Sequence, residues 1–516
     1  MGSNPIIPGF HPDPTICRVG EDYYIAVSSF EYFPAVPIFH SRDLVTWTQI
    51  GNVLDRESQL DLRKAIDSGG IFAPTLRHHD GRFWLVTTNQ AQIPRGQLIV
   101  SAEDPAGPWS EPVFVAGALG VDPDLAWDED GACYLTWSTS GDASTILQAG
   151  IDPRTGAMQS EPQRLWSGTG LAAPEAPHVY LRDGWWYLLI AEGGTARGHA
   201  VSVARSRSIT GPYEGNPANP VFTHRSTADP VQNTGHADLV QLPSGQWAAV
   251  YLGVRPRGFT PQFHVNGRET FLAAVRWEDD WPVFHEGHYQ VPPADTTFID
   301  EFDGGTLRPQ WISRAGDPLA FAAVGAEGLT LRSPGEEHGE HEFLAVRARD
   351  EQWAAEAVIR SGSAKLTLWL DTWHWARVGV YPDAVRVEVA LGEIRQTLAE
   401  TRVDADSAVT LAIRATAAAA EPDRLGSPPD HLAFGLMEGS VFRSLAELDG
   451  RYFSTEVAGG FTGRVIGIGA AAGGATIARF AYEPLHHDRP PSDPVTAYGF
   501  QSGSHRSAGP AGQSAS

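Results

Sequence analysis

Lysine is almost missing from this chain. Lys64 and Lys365 are the only two in 516 residues, so the positive charge is carried by arginine, and the formal net charge is −24. Such an excess of acid excludes nucleic acid and anionic membranes as natural partners, because both would be repelled. Cysteine is equally scarce. Cys17 and Cys133 cannot make a disulfide scaffold, and each falls in a strand-like run where a buried free thiol is expected. No apolar run approaches the roughly 20 residues a membrane-spanning helix needs. The opening MGSNPIIPGFHPDP has neither a basic segment nor a long apolar one. No secretion signal is visible, and a cytoplasmic protein is expected, although a secreted chain already trimmed of its leader would begin the same way. Helical periodicity is rare too. A TIM barrel would need about eight helical stretches, and the sequence does not offer them.

What is present is glycine (54), proline (38) and tryptophan (16), the composition of an all-β chain with many turns. A unit repeats along the first 290 residues or so: a polar turn followed by an aromatic or apolar run. It occurs as EDYYIAVSS from Glu21, DGRFWLVTT from Asp80, DGACYLTWS from Asp130, DGWWYLLIA from Asp183 and SGQWAAVYLG from Ser244. Asp-Gly between two strand-like runs is a hairpin signal. Spacings of about 50 to 60 residues suit a four-stranded blade with its loops, and five blades make a five-bladed β-propeller.

The repeat also locates chemistry. Just upstream of the hairpin turns stand Asp13 (HPDPT), Pro74 (FAPTL), Asp122 (VDPDL), Glu175 (APEAPH) and His236-Ala237-Asp238 (GHADL). Equivalent positions in a propeller lie on one ring at one end of the central channel, so three repeats aim a carboxylate at one cavity, with His236 and Arg268 (GRETF) at its rim. Glu175 lies between Pro174 and Pro177 among alanines, where poor solvation raises a carboxyl pKa and suits it to donate a proton. Converging acids repel one another; water and a substrate between them would give the arrangement a purpose.

Near Thr297 the pattern changes to short alternating strands at roughly 10 to 15 residue spacing, which read as an antiparallel β-sandwich. The domains expected are a propeller over 4–294, a sandwich over 297–485 and a disordered tail over 487–516, rich in Pro, Ser and Gly. The run GEEHGEHEF at 335–343 has a metal-binding composition, but a solvated acidic loop is the expectation.

NPIIPGFHPDPTI, SGGIFAPTLR, VDPDLAWDEDG, APEAPHVYLRDGWWYLLIAEGGT, QNTGHADLV, LGVRP, GRETFLAAVRW and STEVAGGFTG, in this order, resemble glycoside hydrolase family 43. The similarity is to β-xylosidase and α-L-arabinofuranosidase members with a C-terminal, concanavalin-like β-sandwich, and it covers about residues 4 to 485. The resemblance implies hydrolysis with inversion, with Asp13 as general base, Glu175 as general acid, and Asp122 orienting the acid and holding up its pKa. It places Phe30 and Phe72 around the sugar, makes His236 and Arg268 supporting pocket residues, and offers Phe461 of the sandwich as a contact at the pocket mouth. A closed mouth would admit only chain ends. The expected substrate is a β-1,4-xylooligosaccharide losing terminal xylose, with two alternatives: an arabinoxylan fragment losing α-L-arabinofuranose, or a bifunctional pocket that accepts both sugars. The acid–base chemistry requires no metal; a structural calcium ion near His236 is an option the resemblance carries, and homo-oligomerisation is left open. The sequence departs from the family pattern at Phe72, where tryptophan is common, at Asp124, where a small residue is usual, and at Ala196-Arg197. Outside enzymes, a carbohydrate-binding module or a structural propeller would share the fold; the retained carboxylates argue against both.

Overall fold

The computed structural model describes residues 4–485 except 140, 142, 143, 259, 315, 334–341, 404–407 and 418–429. The tail from 487, and all but the last two residues of the acidic run 335–343, lie outside the described residues.

The repeat is five antiparallel sheets. The first consists of Thr15–Val19, Asp22–Ala26, Ala35–Ser41 and Thr48–Leu54, in that order. The next four blades begin with Thr75–His79, Val121–Trp127, Glu175–Arg182 and Gln232–Gln241. These five first strands touch one another in a closed ring, which makes a five-bladed propeller with a central channel. The ring is locked at its seam, where the N-terminal segment runs beside the last blade and Ile6 N–H donates to Thr270 O at 2.9 Å.

The turns follow from their residues. Asp80-Gly81 and Asp183-Gly184 both have positive φ at each centre (53° and 71°, 50° and 72°), the type I′ geometry that matches strand twist and that Asp-Gly tolerates. Greater consequence attaches to the channel end of the first strands. Pairing slips between Val121 and Asp124, between Glu175 and His178, and twice between Gln232 and Asp238. At or beside these slips Asp122, Ala176 and His236 sit at φ 54°, 52° and 47°, and Asp13 at 55° just before the first blade begins. Such bulges break the in–out alternation and re-aim a side chain. Three blades use a bulge to point a residue at the channel mouth, and the first blade places Asp13 there through its positive φ just ahead of the strand.

The second unit is a β-sandwich around Trp311, Trp353, Phe434, Phe480 and Tyr482. Its spine is a pair of long strands, Trp353–Asp371 and Val465–Pro484, antiparallel along their length. The units interlock. Tyr32–Phe33, from the loop inside the first blade, pairs with Ile312–Arg314 and so joins the sandwich sheet. Arg314 reaches Asp67 at 2.9 Å, Arg464 N–H donates to Val265 O at 3.2 Å, and Glu456 takes both the N–H of His264 (2.9 Å) and its Nδ1 (2.8 Å). No helix among the described residues is long and apolar enough to cross a membrane.

Candidate active site

Asp13 is buried, and its carboxylate is held at both oxygens. Arg268 Nη1 donates to Oδ1 at 2.8 Å, Ser28 Oγ donates to Oδ2 at 2.5 Å, and His236 Nδ1 lies 3.5 Å from Oδ1. Burial by itself would raise the Asp13 pKa, but the Arg268 charge and the Ser28 hydrogen bond outweigh it and hold the carboxyl below its ordinary range. Glu175 lives in the opposite electrostatic climate: burial first, then the negative charge of Asp13, push it up to about 7 against the pull of Arg268. Asp122 stands with them. Its Oδ2 accepts the Ala176 N–H at 3.2 Å, and burial, followed by the charges of Glu175 and Asp13, raises it well above the usual carboxylate range. The three acids, 162 residues apart from first to last in the chain, therefore sense each other around one site. Burial and the charge of Asp13 raise Glu175, and Asp122 and Glu175 disfavour each other's ionisation, a repulsion that acts on both members of the pair.

The wall beside them is aromatic. Phe30 and Phe72 meet edge to face at 5.6 Å, and Phe461 from the sandwich lies nearly parallel to Phe30 at 5.9 Å and across Phe72 at 6.2 Å. Phe461 is held by its own N–H, which donates to Ser68 Oγ at 2.8 Å. The Arg268 guanidinium, which grips Asp13, also stands 5.8 Å from the Phe30 ring and 5.5 Å from Phe461. His236 is buried, and burial drives its pKa to about 3 despite Asp13, so its imidazole is neutral. Phe72 thus does the packing that tryptophan would, with a smaller ring. Arg197 is exposed and bonds Gln262 at 2.9 Å, beyond the wall.

Asp124 faces neither solvent nor the three acids. It is fully buried beneath them, 2.8 Å from Arg77 Nη2, and accepts the Val179 N–H at 2.8 Å. Arg77 also pairs with Asp238 at 2.8 Å, and Asp238 accepts from Thr15 Oγ1 (2.7 Å), Ile16 N (2.9 Å) and Tyr180 Oη (2.5 Å). This network ties all five blades together in the channel and removes Asp124 and Asp238 from the chemistry.

Comparison with known proteins fits this geometry. The model of glycosyl hydrolases family 43 matches residues 2–282, and that of the beta xylosidase C-terminal concanavalin A-like domain matches 299–483. The chain is 35% identical over 505 residues, 91% of either protein, to a non-reducing end alpha-L-arabinofuranosidase, BoGH43B, of Bacteroides ovatus.

The chain belongs to glycosyl hydrolases family 43.

This family 43 protein is also 34% identical to xylosidase/arabinosidase 43B of Humicola insolens, across 95% of the chain and 98% of the relative, and 47% identical to a xylosidase/arabinosidase of Butyrivibrio fibrisolvens, of whose length it spans 57%. Among solved structures, a xylan beta-1,4-xylosidase from Bacillus halodurans superposes with a TM-score of 0.82 at 30% identity, covering 94% of this chain and all of that one. The molecule is a family 43 glycosidase.

Residue reasoning passed over several members of the site. Ser28 ends the first aromatic run, and nothing local marks its bond to Asp13. Thr195 closes the EGGT motif and accepts from Arg268 Nη1 at 3.0 Å. His199 Nδ1 donates to Asn233 O at 2.9 Å, and burial lowers its pKa to about 4. Its ring packs so closely on Gly235 that a Cβ there would come within 2.4 Å, so the glycine of GHADL was the legible trace of His199. Near His236 the neighbours are the His178 ring, 6.3 Å away, and Asp13, already engaged by Arg268. Calcium takes six to eight oxygen ligands, and among the described residues no group of three or more His, Cys, Asp or Glu side chains is arranged for a metal. The described side chains do not by themselves build a calcium site there.

Proposed function

We propose that this glycosidase is an exo-acting, inverting enzyme that releases terminal xylose from β-1,4-xylooligosaccharides. The observation that carries the reading is the opposed state of two buried acids at one site: Asp13 held ionised by Arg268 and Ser28, Glu175 held protonated near neutrality by burial and by Asp13. Asp13 takes a proton from water as the water oxygen bonds the anomeric carbon. The glycosidic C–O bond breaks on the far side, and Glu175 gives its proton to the departing oxygen. In inverting enzymes the two carboxyls stand roughly 6.5–9.5 Å apart to leave room for that water. Asp122, bonded to the backbone next to Glu175, fixes the acid and shares its proton economy. Phe30, Phe72 and Phe461 supply the apolar face against which a sugar ring packs, and His236, neutral, offers a hydrogen bond. Phe461 comes from the other domain and closes one side of the mouth, which supports action at chain ends.

Removal of α-L-arabinofuranose from arabinoxylan fragments is the second reading, supported by the similarity to the Bacteroides ovatus alpha-L-arabinofuranosidase. Side-by-side hydrolysis of xylobiose and arabinosylated xylotriose separates the two, with xylobiose expected to be the better substrate. Glu175→Gln tests the acid. Loss of about 10²–10⁴-fold is expected on xylobiose, and a much smaller loss on an aryl xyloside whose leaving group needs no proton. Equal losses on both would remove Glu175 from that role.

A further inference from the structure

Away from the carboxylates, on the seam between the domains, lies a cleft of about 430 Å³. Its walls are mostly apolar: Ile6, Phe39, Trp47, Val291, Phe298 and Val346 contribute. Arg347 also lines it, at only 4% exposure. Among the described residues this guanidinium has no hydrogen bond and no ion pair. Its Nε and Nη2, the two donors of one edge, are buried without an acceptor, and its one close partner is the face of Phe10 at 4.9 Å. The neighbouring Tyr32 hydroxyl is likewise buried without a partner.

An unpaired buried cation is costly. Burial, with the charge of Arg349, pulls the Arg347 pKa down to about 10 against a smaller opposing pull from Tyr32. Other charged or titratable groups along the cleft do not relieve it. Arg349 adds positive charge and donates to Thr296 O; His11 is kept neutral by burial; Asp295 caps Thr297 N–H at 3.0 Å and faces Arg349. In a chain of net charge −24, this cleft gathers two arginines against one aspartate, which faces Arg349.

We propose that the cleft is a binding site for a small monocarboxylate with an apolar body, its carboxylate received by the free edge of Arg347 and its body by Trp47 and the apolar wall. The planar Nε/Nη2 fork matches a carboxylate in two parallel hydrogen bonds. Both nitrogens are covered here, so the guanidinium tilts toward the cleft as the acid seats. A dianion such as phosphate fits less well, with a single free guanidinium, Asp295 on the wall and little else polar to solvate its second charge.

Benzoate is the probe, with glucuronate and inorganic phosphate as comparison anions, on the full chain by calorimetric titration and thermal unfolding. Benzoate should bind and raise Tm with concentration, and the other two should do so less. Arg347→Met should weaken benzoate roughly tenfold to a hundredfold, the loss of a charge-assisted hydrogen-bonded pair. Asp13→Asn should bind it as the wild type does, which separates this cleft from the catalytic one. If Arg347→Met does not fold, Trp47→Ala carries the test, with a loss of roughly threefold or more from the missing wall. No binding of benzoate, binding no better than that of phosphate or glucuronate, or benzoate binding indifferent to both substitutions, would overturn the proposal.

Discussion

At Glu175 a carboxyl group keeps its proton to about pH 7 because it is buried near an ionised neighbour, and at Asp13 the same chemical group loses it early because Arg268 faces it. The pH profile follows from the sign of each shift. A general acid works only while protonated, so kcat/KM should fall as pH rises through about 7; a general base works only while ionised, so the acidic limb lies below the ordinary carboxylate range. Glu175→Gln, measured on an activated aryl xyloside, should flatten the basic limb and leave the acidic one. Persistence of the basic limb would assign it to another group. Stability carries a linked signature. Folded Glu175 holds a proton that the unfolded chain releases near pH 4.3, so the wild type loses stability between that pH and about 7, and Glu175→Gln should be the more stable protein at pH 8 by about 1–3 kcal/mol. Unfolding curves of both at pH 4 and pH 8 test this. Ser28→Ala removes the hydroxyl that helps keep Asp13 ionised; its acidic limb should move up in pH, and kcat should fall more than KM rises.

Asp122, Glu175 and His236 are carried on strands, at the bulges at the channel ends of the first strands, while Asp13 and Arg268 sit just ahead of theirs. Under the bulges, Arg77 joins Asp124, His178 and Asp238 from three other blades. Arg77→Met would leave two buried carboxylates without their counter-charge, and a destabilisation of about 3–5 kcal/mol is expected, read as a shift in denaturant midpoint. Asp238 is depressed by Arg77 and its hydrogen bonds more than burial raises it. Its contribution is therefore present above the unfolded pKa near 4 and lost as pH falls below it. The hairpins around this network were legible because Asp-Gly turns and aromatic runs are local signals. The network was not: VDPDL offers two aspartates two residues apart, and only the slip between Val121 and Asp124 decides that the first faces the active site and the second faces Arg77.

The two domains form one catalytic wall. Phe461 stacks on Phe30, and the pairing of Tyr32–Phe33 with Ile312–Arg314 fixes that approach, as does the Asp67–Arg314 pair. Phe461→Ala should leave the fold intact, since the ring is 39% exposed, and raise KM for xylobiose several-fold by removing a partly buried aromatic contact worth roughly 1 kcal/mol. Asp67→Ala should act through the same wall without touching substrate: Arg314 and Thr372 lose their shared acceptor, the sandwich seats less firmly, and KM rises while the pH limbs stay in place. A moved pH limb would instead place Asp67 in the electrostatics of the acids.

Local order in the chain was enough to determine the strand repeat, the turns, the change of pattern near Thr297 and the motifs bearing Asp13, Asp122 and Glu175, because each depends on neighbours a few residues away. Which acid holds its proton was decided elsewhere. It depends on Arg268 arriving 255 positions after Asp13 and on how deeply each carboxyl is enclosed. Those are properties of packing in three dimensions, and a pKa is set by what surrounds a group in space.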